Sequence, residues 1–288
     1  MNVARRPEEL EPARRAAAVG TFDGVHRGHR RVIEAARATG LRSAVVTFDP
    51  HPRTTFGDRV ELLTTTQRRL ELLEQVGVED VLLLEFDEAL AALSPEAFAE
   101  SVLRRAGVEV VAAGDGFRFG HDRRGDLDLL ERLGFDVRRV PLVDGVSSSH
   151  IRRLLAAGEV VRAAALLGRP PEVEGIVVTG DRRGGTLGFP TANLDVRAGL
   201  IVPAYGIYAG EALGARAAVS IGTNPHYGGG ERKVEAYLLD YEGDLYGGRL
   251  VVELWERLRD EGAFVSEAEL VAAIADDVRR ARSARRPA

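Results

Sequence analysis

The feature that most limits what this chain can fold into is a change of texture at "GRPPEVEG", residues 168–175. Ahead of it, apolar strand-like runs alternate with amphipathic helical ones. "AAAVGTF" is followed by "HRRVIEAARATG", "RSAVVTF" by "TTTQRRLELLEQVG", "EDVLLLEF" by "SPEAFAESVLRRAG", and "VEVVAAG" by "LDLLERLG". Ser94 followed by Pro95 is a helix start, an N-cap with proline at the first helical position. "FDVRRVPLV" and the helical "SSSHIRRLLAAGEV" complete this half. Such alternation predicts a doubly wound parallel sheet. Paired prolines then end the last helix. Behind them come short β-rich runs, "EGIVVTG", "GLIVP", "GIYAGEAL", "ARAAVSIG", "KVEAYLLDY" and "RLVVELWERL", parted by Gly and Asn turns. That pattern predicts an antiparallel barrel or sandwich. A final helix, "SEAELVAAIADDVRRAR", has Ser266 and Glu269 at capping-box spacing. The expected architecture is α/β plus β, with domains at 1–168 and 169–288.

Composition enters where it excludes. The chain is 45% hydrophobic and 29% charged, the balance of a globular protein. No run approaches the ~20 apolar residues of a membrane span. The opening "MNVARRPEELEPARR" has no apolar stretch and carries acidic residues, so no leader is expected. Without cysteine there are no disulfides or thiolate ligands, and a cytoplasmic protein is expected. The net charge of −5 comes from mixed charges with no basic stripe, so nucleic acid is not an expected partner. Lys233 is the sole lysine, and no Gly-Lys-Ser/Thr phosphate loop exists. Any nucleotide site here must therefore handle phosphates with arginine, histidine, backbone N–H groups or a metal. No exposed apolar helix advertises an oligomer interface.

The first candidate site is "GTFDGVHRGHRRVI", in which His26 and His29 sit between a strand and a helix. Three readings compete: a metal site, a phosphate cradle, or two solvated turn residues. Helical zinc sites want histidines four apart with a glutamate beside the first, which "HRGH" lacks. Strand end, Gly20, Phe22, Gly24, Gly28 and helix start together favour an anion, because backbone N–H groups and the helix dipole converge there. Gly28 removes a side chain where a phosphate would come close. Two imidazoles can follow charge as it builds on a leaving pyrophosphate. In "GVSSSHIRR", Ser148 or Ser149 can act as an N-cap and nothing more, while Arg152 lies about one turn inside with phosphate-matching geometry. Asp49 in "TFDPHP" reads either as a turn residue before Pro50 or as a functional carboxylate at a strand end.

"GTFDGVHRGHRRVI", "TFDPHP", "GFRFG", "VSSSHIRRLLAAGEV", "GTLGFPTANL", "SIGTNP" and "VEAYLLDYEGDLYG" occur in that order from Val19 towards Asp277. The chain resembles the prokaryotic bifunctional riboflavin kinase/FAD synthetase family. "HRGH" alone places it only among nucleotidylyltransferases; "LGFPTAN" at this distance is the specific part. The resemblance implies a first domain that joins FMN and ATP into FAD with release of pyrophosphate. His26 and His29 would contact the ATP phosphates, with Ser148, Ser149 and Arg152 closing on them, and Asp49 would lie near flavin nucleotide or magnesium. It implies a barrel-shaped riboflavin kinase second, in which Thr191 and Asn193 hold magnesium–nucleotide and Glu235 takes the proton of the ribityl hydroxyl. Gly180, Gly184, Gly185 and Gly188 would cover the phosphates, and Arg259 would approach the flavin. Magnesium, ATP, riboflavin, FMN and FAD are the implied ligands.

The chain departs from the family pattern at Gly116, where an acidic or amide residue is common, at Tyr237 for histidine, at His226 for threonine and at Gly185 for arginine. Two other readings use the same residues: a kinase whose first domain has diverged, or an inactive flavin-binding protein. Flavin storage alone would not need His26, His29, Thr191, Asn193 and Glu235.

Overall fold

The computed structural model describes residues 1–55, 57, 59–180, 188–223 and 232–287. It divides into two compact units, Met1–Ser147 and Ser148–Ala288. In the first, β1 (Asn2–Ala4), β2 (Arg15–Val19), β3 (Arg42–Asp49), β4 (Asp80–Glu85), β5 (Val108–Gly114) and β6 (Asp136–Val140) form one sheet. Its order is β1-β4-β3-β2-β5-β6, with every pairing parallel. The helices are α1 (Arg27–Arg37), α2 (Pro52–Thr55), α3 (Thr66–Gln75), α4 (Glu88–Ala91), α5 (Pro95–Phe98) and α6 (Leu127–Arg132). From β2 the chain steps outward to β3 and β4, then returns past β2 to lay down β5 and β6. That reversal opens a crevice at the carboxyl ends of β2 and β5, where open α/β sheets bind ligands.

Both faces of the sheet are covered. Ala17, Val19, Val46 and Leu84 pack on one side with Phe98, Leu103 and Leu130. Ala18, Val45 and Leu83 pack on the other with Phe22, Ile33, Leu72 and Leu73. Strands buried on two faces read as continuous apolar runs, which is why they were legible. β1 was not: its three residues pair at the sheet edge with β4, too short a run for any period. The helix opened by Ser94 widens into π-helical turns over Ala99–Arg104.

The amino end of the sheet is locked by charge. Asp80, fully buried at the start of β4, accepts Arg15 Nε at 2.7 Å and Arg42 Nε and Nη2 at 2.7 and 3.0 Å. Arg15, 1% exposed, also donates to the carbonyls of Glu11, Ala13 and Ala106. Burial raises the Asp80 pKa, but the hydrogen bonds and charges of Arg42 and Arg15 outweigh it and leave it lowered. Asp80→Asn strands the Arg15 charge and is expected to cost about 3–5 kcal/mol in denaturant unfolding; an unchanged unfolding midpoint contradicts this. Because the folded value is depressed, this stabilisation stands above the ordinary aspartate range and is lost as pH falls through the folded value.

The second unit opens with α7 (Ser148–Ala156) and α8 (Val160–Leu167). It continues with β7 (Glu172–Val178), β8 (Ala192–Asp195), β9 (Gly206–Ala212), β10 (Ala215–Thr223), β11 (Arg232–Leu238), β12 (Arg249–Arg259) and α9 (Glu267–Ser283). The strands close an antiparallel barrel in the order β10-β11-β8-β7-β12-β9. Val173, Val177, Val219, Val234, Ala236 and Val252 are buried at alternate positions. Bulges in β12 free Trp255 and Leu258 to pack with Ala281 of α9. The compositional break at Gly168 and the division at Ser147/Ser148 are different places. α7 and α8 lie in the barrel's unit, where the Leu155 carbonyl accepts the Ala204 N–H at 3.0 Å. "GLIVP" is no strand; "ANLD" takes that place as β8, since apolar character without alternation does not specify a ladder.

Candidate active sites

The first site is built on the turn that leaves β2. Gly20 N–H still bonds the Val46 carbonyl of β3 at 3.1 Å, and then Phe22 (φ 51°), Gly24 (φ 82°) and Val25 (φ 39°) adopt left-handed backbone. A β-branched residue there is strained and persists only if its surroundings hold it. Asp23, 2% exposed, supplies that hold by accepting the N–H groups of Leu63 and Thr64 at 2.9 and 3.3 Å. Gly24 N–H donates to Thr64 Oγ1 at 3.3 Å.

His26 is the N-cap of α1: its Nδ1 accepts the His29 N–H at 3.2 Å. Nδ1 therefore carries no proton, and the neutral ring presents its N–H at Nε2. The His26 and His29 rings stack, with centroids 3.6 Å apart and planes at 14°, and Phe22 tilts against His29 at 5.1 Å. A Cβ on Gly28 would lie 3.2 Å from His26 Cε1 and Nδ1, so this glycine makes room for the imidazole itself. Burial holds the His29 pKa well below the ordinary histidine value, and positive charge on His26, were it protonated, or on Arg69 lowers it further. The pair is thus two stacked neutral rings, and Nδ1 of His29 is buried with no partner among the described residues. One His26 nitrogen is committed to the helix cap, which removes it as a metal ligand.

Asp49 ends β3, and its Oδ1 accepts Thr66 Oγ1 at 2.8 Å. Asp23, Thr66 and Arg69 are participants that motif reading missed. For Arg69 a signal existed, because it stands three and four residues before Leu72 and Leu73, on the buried face of α3. Gly116, at the exit of β5, is exposed, and a side chain there would find nothing within 4 Å. Ser148, Ser149 and Arg152 lie in the other compact unit, in α7. The helix begins at Ser148, so both serines occupy its first turn.

The second site follows from barrel register. Asn193 on β8 pairs with Glu235 on β11, which pairs in turn with Ser220 on β10. Ala192, Leu194, Val234 and Ala236 point into the core, so Asn193 and Glu235 share the outward face, half-buried. A Cβ on Gly180 would sit 2.3 Å from Cγ and Nδ2 of Asn193. Gly180→Ala is therefore expected to displace the Asn193 amide and lower FMN formation about tenfold or more; unaltered riboflavin kinase kinetics contradict this. Tyr237 meets the Phe189 ring edge-on at 5.6 Å, a partner for the aromatic ring at that position. Arg259 is engaged by buried Asp277 of α9, through Nη2 at 2.7 Å and Nε at 3.0 Å. Gly188 has φ 86° in open surroundings. Gly184, Gly185 and His226 lie outside the described residues.

Among the described residues no cluster of three His, Asp or Glu stands ready for a metal. The Thr191 hydroxyl and Asn193 carboxamide are hard oxygen donors, which fits magnesium brought in on nucleotide phosphates.

Residues 8–151 match the family model described as FAD synthetase, and residues 167–285 match the one described as riboflavin kinase. The chain belongs to the bifunctional riboflavin kinase/FMN adenylyltransferase family. It carries an FAD synthetase domain followed by a riboflavin kinase domain and is a transferase on both counts. The protein of that name from Escherichia coli (strain K12) is 38% identical, over 92% of this chain and 90% of its own. The one from Pseudomonas fluorescens is 38% identical over 100% and 99%, and that from Bacillus subtilis (strain 168) 34% over 94% and 92%. A solved structure described as a macrolide-efflux protein from Streptococcus pneumoniae matches over 98% of both chains, with a TM-score of 0.87 and 29% identity. Among the described residues of this chain, no helix is long and apolar enough to cross a membrane.

Proposed function

We propose that His26 and His29 hold the ATP phosphates during FAD synthesis, and that Glu235 accepts the proton during riboflavin phosphorylation. The chain then makes FMN from riboflavin and ATP, and FAD from FMN and a second ATP. The observation that carries this reading is the stacked, neutral histidine pair at the sheet's crevice, in a different compact unit from the Asn193–Glu235 pair.

In FAD synthesis the FMN phosphate attacks the α-phosphorus of ATP in line, and pyrophosphate leaves. The imidazole N–H groups, unburdened by charge beforehand, donate to oxygens on which charge grows. Ser148, Ser149 and Arg152 are further phosphate contacts on the likeness of "SSSHIR", and Asp49 faces flavin nucleotide. In the kinase, Glu235 removes the ribityl 5′-hydroxyl proton as that oxygen attacks the γ-phosphorus. Thr191 and Asn193 hold the magnesium–nucleotide, Gly180, Gly184 and Gly188 approach its phosphates, and Arg259 lies towards the flavin. Magnesium supplies charge neutralisation on the phosphates in both reactions. A cytoplasmic setting, with free ATP and magnesium, agrees with the cysteine-free composition.

The test is an incubation with riboflavin, ATP and magnesium in which FMN and FAD are separated over time. FMN should appear first and FAD follow, with both lost on chelation. FMN without FAD, even when FMN is supplied, overturns the adenylyltransferase half.

A further inference from the structure

Arg69 of α3 is a buried cation held by backbone carbonyls. It is 5% exposed, and among the described residues it makes no ion pair. Nη1 donates to the Thr21 carbonyl at 2.9 Å and Nη2 to the Phe48 carbonyl at 2.8 Å, while Nε is buried with no partner among the described residues. Thr21 follows Gly20 in the turn that carries His26 and His29; Phe48 directly precedes Asp49. The same Thr21 oxygen also accepts Thr47 Oγ1 at 3.1 Å, so it is held from two sides. Two residues at the head of α3 reinforce the link: Thr66 holds the Asp49 carboxylate, and Thr64, just ahead of that helix, bonds the turn at Asp23 and Gly24.

Desolvating a guanidinium is costly, and two carbonyls do not neutralise it. A neutral hydrogen-bonding residue could tie one loop to one strand at lower cost. What a planar, permanently charged fork adds is a bridge across two carbonyls at once, and a fixed positive potential at the crevice. We propose that Arg69 is a positioning residue for adenylyl transfer: its guanidinium sets the distance between the HRGH turn and the Asp49 strand end and keeps that crevice electropositive for phosphate. This rests on the reading that His26 and His29 serve FAD synthesis.

The groups that bear on it lie on every side. His29 is faced by the His26 ring and by Arg69, and Arg69 is faced by Asp23 and Asp49, whose charges partly offset the burial that lowers its own pKa. Arg69 thereby helps hold His29 neutral.

Two substitutions separate geometry from charge. Arg69→Met keeps the length and removes both the charge and the bridge. Arg69→Lys keeps the charge and loses the two-carbonyl bridge. FAD formation from FMN, riboflavin kinase activity as the internal control, and the His29 imidazole titration followed by NMR are read on both, with His29→Ala alongside. Arg69→Met is expected to lower kcat/KM for ATP in FAD formation about a hundredfold, the scale of a misplacement near 1 Å. The kinase stays unchanged and the His29 midpoint moves up towards the ordinary histidine value. Arg69→Lys should leave the midpoint near that of the parent and recover part of the loss, chiefly in KM. If Arg69→Met does not fold, the lysine variant decides, since parental kcat and KM there would show that no bridge is needed. The proposal is overturned by an unmoved His29 midpoint in Arg69→Met or by parental FAD formation in either variant. His29→Ala with intact FAD formation would instead sink the underlying site assignment, whatever Arg69 does.

Discussion

His29→Ala is expected to reduce FAD formation from FMN by about a hundredfold to a thousandfold, the scale on which removing one preorganised donor acts. FMN formation should not change, because Glu235 and Asn193 stand in the other compact unit. The substitution is clean for a local reason. The cap of α1 uses the backbone N–H of His29, which alanine retains, so His26 Nδ1 keeps its partner. His29 Nδ1 has no partner among the described residues, so deleting the ring strands nothing through that atom. His26→Ala is the poorer probe, since it also removes the N-cap, worth about 1 kcal/mol. Rates of FAD synthesis with FMN supplied, set against rates of FMN synthesis, provide the measurement. Equal loss of both reactions in a folded protein defeats the two-site assignment.

Glu235→Gln should do the reverse. A general base contributes roughly 10²–10⁴-fold, so FMN formation should fall by that order while FAD formation from supplied FMN persists. Glutamine matches the shape and can still hydrogen-bond, yet it cannot take a proton at neutral pH. The pairings of Glu235 with Asn193 and Ser220 run through the backbone, and its neighbours Val234 and Ala236 fill the barrel interior unaltered. A barrel that unfolds at the parental temperature but no longer phosphorylates riboflavin locates the defect in chemistry. Parental kinase rates would remove Glu235 from the mechanism.

Much of this was legible because apolar periodicity is a local property. β2, β3, β4 and β5 are buried on two faces and announce themselves as unbroken apolar runs, and β10 and β11 alternate cleanly with one face inward. The misreadings share a cause. β1 has too few residues to show a period, and "GLIVP" is apolar yet forms no strand, only an isolated bridge at Leu200. Partners decide each of these cases, and partners are distant in the chain.

The sites divide in the same way. The "HRGH" and "LGFPTAN" segments state their residue types and spacings outright, and those suffice for phosphate chemistry and for the family. What the spacing does not contain is that His26 caps α1, that the two rings stack as neutral groups, or that Gly28 yields its space to an imidazole. Nor does it separate Arg68 from Arg69: adjacent arginines on one helix, Arg68 paired with Glu71 and Arg69 buried against the carbonyls of Thr21 and Phe48. Sequence alone determined most strand and helix types and the two-part organisation, and named the candidate phosphate-handling residues, because these follow from local pattern. Only the tertiary structure decided which arginine enters the crevice, which nitrogen of His26 is committed and which residues flank Glu235. The place of Arg69 depends on a contact 48 residues away in the chain and the His26 cap on the backbone geometry of a turn, and burial and desolvation, which no local pattern carries, set what each group can do.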